Sequence, residues 1–146
     1  MVNFRVGEKV VYPNHGVGTI EQISTRNVGG GSEKFYLLRI NSSSLTVLVP
    51  FANAESVGLR RIIKHNEVER ILLYLANGDC RTPADWKWRF KENSEKMRTG
   101  SLLQVAEVMK SLLKLSLEEP LSFREKKMLD RARHLLIGEL ATVKNL

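Results

Sequence analysis

The chain has 146 residues, one cysteine and a formal net charge of +7. That length suits one ordinary domain or two small ones. Its 42% hydrophobic and 27% charged residues are the balance of a soluble globular protein, with no apolar run of the roughly 18 residues a membrane span needs. The opening MVNFRVGEKV lacks the apolar stretch of a signal peptide. The single thiol, Cys80, reads as an ordinary residue of the loop NGDCRTP and cannot form an internal disulfide. A cytoplasmic protein is expected. The charge is uneven: residues 1–60 carry +2 (6 cations, 4 carboxylates) and residues 61–146 carry +5 (17 and 12). The second half is therefore the better candidate for an anionic partner such as DNA.

In chain order, EKVVYP, VGTIEQIST, EKFYLLRIN and LTVLVP predict strands within the first 60 residues. Asn14 and Gly16 to Gly18 break the first pair. Gly29 to Gly31 mark a loose hairpin tip, because glycine accepts positive φ, and Asn41 to Ser44 mark the next turn. Four or five short antiparallel strands cannot bury an open sheet, so a small barrel of SH3 or Tudor type is expected.

The hydrophobic period then changes from two to about 3.6. A first helix is predicted over Glu67–Ala76, with Val68, Ile71, Leu72 and Leu75 on one face and Gly78 as its stop. A second begins at Thr82 as N-cap, with Pro83 in the first helical position and Asp85 in the first turn, and ends near Gly100. Ser101 with Gln104, and Ser122 with Glu125, have capping-box spacing and open the third and fourth. Leu102, Val105, Ala106, Met109, Leu112 and Leu113 form the third helix's stripe. Leu129, Ala132, Leu136 and Leu140 form the fourth's, and Pro120 lies in the turn between. The change of period falls within 57–66, giving a barrel over 1–60 and a helical bundle over 61–146, an α+β multidomain chain.

The sequence offers no constellation for catalysis. His15, His65 and His134 are far apart without ligand-spaced partners, and HExxH, CxxC and phosphate-loop patterns are missing. No helix follows Gly29 to Gly31 to make an anion cradle, and His15 reads as a turn residue. Enzyme activity, cofactors, metals and small-molecule substrates are not expected.

The informative segment is TPADWKWRFKENSEKMR, where Trp86, Trp88 and Phe90 alternate with Lys87, Arg89 and Lys91. On a helix Trp86, Phe90 and Met97 share a face, and Trp88 points away. Lys87, Lys91 and Arg98 form a stripe between the two indoles. One reading is a minor-groove wedge, with cations on the phosphates and a ring between base steps. The other makes Trp86 and Phe90 core residues, Trp88 the exposed ring and the stripe a solvated face. Periodicity leaves both open. The fourth helix adds Arg124, Lys127, Arg131 and His134 at three- and four-residue steps, flanked by Lys126 and relieved by Glu125 and Asp130.

VGEKVVYPNHGVGTIE, LTVLVPFANAESVGLR, and ADWKWRFKENSEKM followed by SFREKKMLDRARHLLIGELA together resemble the CarD/CdnL family of bacterial RNA polymerase-binding regulators. The likeness runs from about Phe4 to Ala141. The first motif is shared with transcription–repair coupling factors; the helical motifs narrow it to the stand-alone family. The resemblance implies a Tudor-like domain that binds the polymerase β subunit, partly by strand pairing. It also implies a helical domain on promoter DNA at the upstream edge of the bubble, where a tryptophan wedges into the minor groove and stabilises the open complex. Residue by residue, the wedge falls on Trp86, with Lys87, Arg89, Lys91 and Lys126 as DNA contacts. Polymerase-facing positions fall on Arg26, Val28 and Leu48. At Leu48 the family carries an arginine, so a charged contact is lost here or moved, with Arg39 the nearby substitute. A monomer at the nucleoid is expected. The competing reading is a protein–protein adaptor that recruits factors to polymerase without touching DNA.

Overall fold

A computed structural model describes residues 3–80 and 83–145, with Val28 described by its backbone alone. The order is β1 (Lys9–Tyr12), β2 (Gly16–Val28), β3 (Gly31–Ile40), β4 (Thr46–Pro50), a 3-10 turn (Phe51–Asn53) and β5 (Arg60–Arg61). Then come α1 (His65–Asn77), α2 (Trp86–Arg98), α3 (Leu102–Glu118) and α4 (Phe123–Lys144). The architecture is α+β, and the chain forms two compact units, Met1–Ile62 and Ile63–Leu146.

The antiparallel sheet has the order β4-β3-β2-β1-β5, so β1 lies between β2 and the short β5, and β4 and β5 are edges. A bulge between Ile20 and Gln22 bends the long β2, which is how an extra residue re-aims a strand. Strands β1 to β4 all contribute to one core. Val10 of β1, Ile20 of β2, Tyr36, Leu38 and Ile40 of β3, Val49 of β4, and Phe4, Ala54 and Leu59 are buried together. Tyr36 is the pivot. Its ring stacks on Phe51 at 4.0 Å, meets Phe4 edge-on at 5.6 Å, and its hydroxyl accepts the Phe4 N–H at 3.2 Å.

Two details differ from the sequence expectation. The β2–β3 hairpin tip is tight, since Val28 pairs with Gly31 and only Gly29 (φ 56°) and Gly30 (φ 88°) intervene. Two successive positive φ values are what a two-residue turn matched to strand twist requires. Secondly, β5 is a pair of arginines, invisible to a search for apolar alternation. Arg61 holds its end through an ion pair to Glu8 and a 2.6 Å bond to the Asn3 carbonyl.

Gly18 lies between Val10 and Ile40 in the register, and a Cβ there would stand 2.8 Å from the Arg39 carbonyl oxygen and from Leu38 Cδ1. Gly18→Ala is expected to cost the sheet unit about 1–3 kcal/mol of stability, read as a lower denaturation midpoint. An unchanged midpoint would show that β2 and β3 part freely there.

In the helical unit α3 packs against α1, α2 and α4. Its Leu102, Val105, Ala106, Val108, Leu112 and Leu115 meet Ile71, Met97, Leu129, Ala132, Leu135 and Leu136 in one core. The caps follow the sequence: Ser101 Oγ accepts the Gln104 N–H at 3.3 Å and Ser122 Oγ the Glu125 N–H at 3.2 Å. Lys110 closes the end of α1, its ammonium donating to the Tyr74 and Gly78 carbonyls at 2.9 and 2.6 Å. Three expectations are corrected. Leu72 of α1 and Leu113 of α3 are exposed, because α1 buries only Val68 and Ile71 fully and α3 turns Val108 and Leu115 inward instead. α2 starts at Trp86 rather than near Pro83. Its cap is Asp85, whose carboxylate accepts the Lys87 N–H at 2.9 Å; Thr82, the cap expected from sequence, lies outside the described residues.

Candidate nucleic-acid interface

The inward face of α2 is polar. Arg89, Asn93 and Met97, four residues apart, are buried, and what makes burial of a guanidinium tolerable is a carboxylate facing it. Arg89 Nε donates to Glu125 Oε2 at 2.7 Å and Nη2 to Oε1 at 3.1 Å, with the side chains only 5% and 3% exposed. Nη1 donates to the Pro83 carbonyl at 3.2 Å, and Ser122 Oγ to Glu125 Oε1 at 3.3 Å. The hydrogen bond from Arg89 holds the Glu125 carboxyl below its ordinary range against the opposing effect of burial, and the same bond raises Arg89 further above its own. Glu125 therefore has a second task beyond the capping box. This forked pair fastens the first turn of α4 to the first turns of α2 and to the segment that delivers Trp86.

Trp88 lies on the side of α2 opposite this buried face, and Trp86 overhangs the core as the first residue of the helix. Trp86 is 51% and Trp88 59% exposed. The expected cluster of Trp86, Phe90 and Met97 therefore separates: Met97 is core, Phe90 half-buried and Trp86 at the surface. Lys87, Lys91 and Lys126 are exposed. Arg89, expected beside them, is withdrawn from the surface by Glu125 and leaves the set of contact candidates. Lys91 Nζ stands 6.0 Å from the Trp88 ring centroid, and the Arg124 guanidinium lies 4.8 Å over Phe90, so α4 supplies cations to the aromatic face of α2. Arg124, Lys127, Arg131 and His134 are all exposed along α4. Sequence reasoning missed Phe123, the first residue of α4, 71% exposed with Lys127 Nζ 4.7 Å over its ring. Its signal was positional: it follows the N-cap Ser122, outside the apolar stripe.

In the sheet unit Arg26 and Leu48 stand on the outward face of β2, β3 and β4. Leu48 lies opposite Leu37, and Arg26 lies opposite Glu33 with its guanidinium 6.0 Å from the Phe35 ring. Arg39 is on the same face, ion-paired to Glu21. The Val28 side chain lies outside the described residues. Among the described residues no His, Cys, Asp or Glu cluster could hold a metal, and no helix is long and apolar enough to cross a membrane.

Residues 70–146 match the family described as "CarD, C-terminal domain", and residues 4–63 match "CarD-like/TRCF RID domain". The chain belongs to the CarD/CdnL family. A relative, "Putative transcription factor YdeB" of Bacillus subtilis (strain 168), is 33% identical over 143 residues, covering 98% of this chain and 94% of its own. Two solved structures are similar to the first half. CdnLNt of Myxococcus xanthus is 40% identical with a TM-score of 0.37, covering 43% of this chain and 89% of that one. The 72-residue N-terminal domain of Myxococcus xanthus CarD is 31% identical with a TM-score of 0.35, covering 42% and 81%. CarD-family membership makes the chain a transcription regulator in kind. Of the positions carried over from the CarD pattern, Trp86, Lys87, Lys91 and Lys126 sit exposed on the two fastened helix starts, and Arg26 and Leu48 on the outward sheet face.

Proposed function

We propose that this chain grips the RNA polymerase β subunit with the outward face of its sheet unit and promoter DNA with its helical unit. The DNA site is the upstream edge of the bubble, and the result is a more stable open complex. The observation that carries this reading is Trp86. It opens α2 half-exposed, next to Lys87 and one turn before Phe90, over which α4 sets Arg124, and the Arg89–Glu125 fork ties the two helix starts together. Lysines that neutralise phosphates give a sequence-tolerant grip, and an aromatic wedge props a base step that has begun to part. Polymerase contact raises the local concentration of the wedge, so a weak DNA site suffices. A ligand that prefers parted DNA shifts the closed–open equilibrium by that preference. The resemblance assigns Arg26, Val28 and Leu48 to the polymerase side.

The Trp86→Ala protein is expected to bind polymerase as before and to shorten the open-complex lifetime about tenfold, the equivalent of about 1.4 kcal/mol. A folded variant with an unaltered lifetime would reject the wedge. Titration of salt separates the adaptor reading: DNA binding by this surface falls steeply as salt rises, whereas an adaptor ignores DNA at every salt concentration.

A further inference from the structure

Phe123 is an exposed ring that neither hydrophobic packing nor capping explains. It leaves the core at the first turn of α4, and Lys127 lies 4.7 Å over its face. The same turn carries Arg124 over Phe90, one helical turn beyond Trp86, while Lys91 approaches Trp88. The two helix starts, joined by the Arg89–Glu125 fork, thus present rings and cations in alternation. The exposed cations there are Lys87, Lys91, Arg124, Lys126 and Lys127. Carboxylates stand among them: Asp85, occupied as the α2 cap, Glu119 at the end of α3, Glu95 one turn beyond Lys91 and Asp130 one turn beyond Lys126.

A duplex offers phosphates and a groove edge, and one wedge would answer it. Several separate rings, each beside a cation, match a different chemistry: unpaired nucleotides, whose bases stack on aromatic faces while the backbone runs along positive charge. We propose that Phe123 is a second stacking ring, and that the helical unit takes an unpaired DNA strand across α2 and α4. This rests on the DNA reading above and names its ligand more closely. The ring supplies the base platform, and Lys127, which already occupies its face, swings to the adjoining phosphate.

The test is equilibrium binding of the full chain to labelled DNA, comparing a fork (duplex with an unpaired extension) with a blunt duplex of equal length. The wild-type protein should prefer the fork, and Phe123→Ala should weaken fork binding on the order of tenfold while leaving the blunt duplex nearly unaffected. Phe123→Tyr should keep the preference and Phe123→Leu, equally apolar without a π face, should lose it. Circular dichroism confirms folding, which a surface ring does not control. Equal fork affinity for Phe123→Ala and wild type overturns the inference, as does full retention by Phe123→Leu. Loss of polymerase binding on removal of Phe123 overturns it as well, since the ring would then be a protein contact. If Trp86→Ala leaves promoter lifetimes unaltered, the wedge reading fails separately; the fork comparison is still decided by the Phe123 variants.

Discussion

Replacing Arg89 with alanine is expected to lower the stability of the helical unit by about 3–5 kcal/mol, the usual cost of stranding one partner of a buried ion pair. Glu125, 3% exposed in the intact pair, would lose the guanidinium and keep the Ser122 hydroxyl as its described side-chain partner. Urea denaturation of the variant should show a midpoint far below that of the wild type. The double variant Arg89→Met, Glu125→Leu removes both charges and should recover most of the loss, because apolar groups of similar volume need no desolvation offset. Recovery of stability need not bring recovery of function, since the fork also aims Trp86. The pair has an acid limb. The Glu125 carboxyl is held below its ordinary value in the folded protein. Its contribution is therefore complete above the unfolded value, near pH 4.3, and is lost as pH falls through the lowered folded value. Stability should decline more steeply in acid for the wild type than for the double variant. Parallel curves would mean that the fork contributes nothing across that range.

The second large effect is expected at Tyr36. Tyr36→Ala should cost the sheet unit about 3–5 kcal/mol, because the ring is 1% exposed and touches both Phe4 and Phe51. A small sheet unit has little stability to lose, so the variant should unfold there and fail to bind polymerase. Tyr36→Phe isolates the hydroxyl. It keeps the stacking and strands the Phe4 N–H, for a cost of about 1–3 kcal/mol. Chemical denaturation followed by tryptophan fluorescence reads the helical unit alone, since both tryptophans lie there, and amide hydrogen exchange of β1 to β4 reads the sheet unit. An unshifted sheet transition for Tyr36→Ala would remove the ring from its central place.

The local signals in the chain were reliable where the physics is local. Ser101 and Ser122 cap where their spacing indicates, and strand alternation located β1 to β4, because hydrogen bonds to near neighbours and period-two burial are written in consecutive residues. The misplacements come from partners distant in sequence. Arg89 reads as a surface cation until Glu125, 36 residues on, is brought against it. Met97 and Trp86 share a face of α2 but stand at opposite ends of it, so the core covers the one and leaves the other overhanging at the helix start. Glu139 is similar: it is buried and accepts the Ile63 N–H at 2.9 Å across 76 residues. β5 is short and charged, so pairing with β1 alone defines it. The wedge position on Trp86 came from family resemblance, because periodicity by itself leans toward Trp86 as a core residue and Trp88 as the exposed ring.

The cations seated over Trp88, Phe90 and Phe123 bear on how the molecule behaves when it holds nothing. Naked aromatic surface invites copies of a protein to stick to one another. Here each sticky ring carries a positive sentinel, so two such faces meeting head-on repel before their rings can touch. The shield is electrostatic and thins as the Debye length shrinks. A polyanion reverses its sign of action, and the charges that turn away a sibling molecule draw in a nucleic acid.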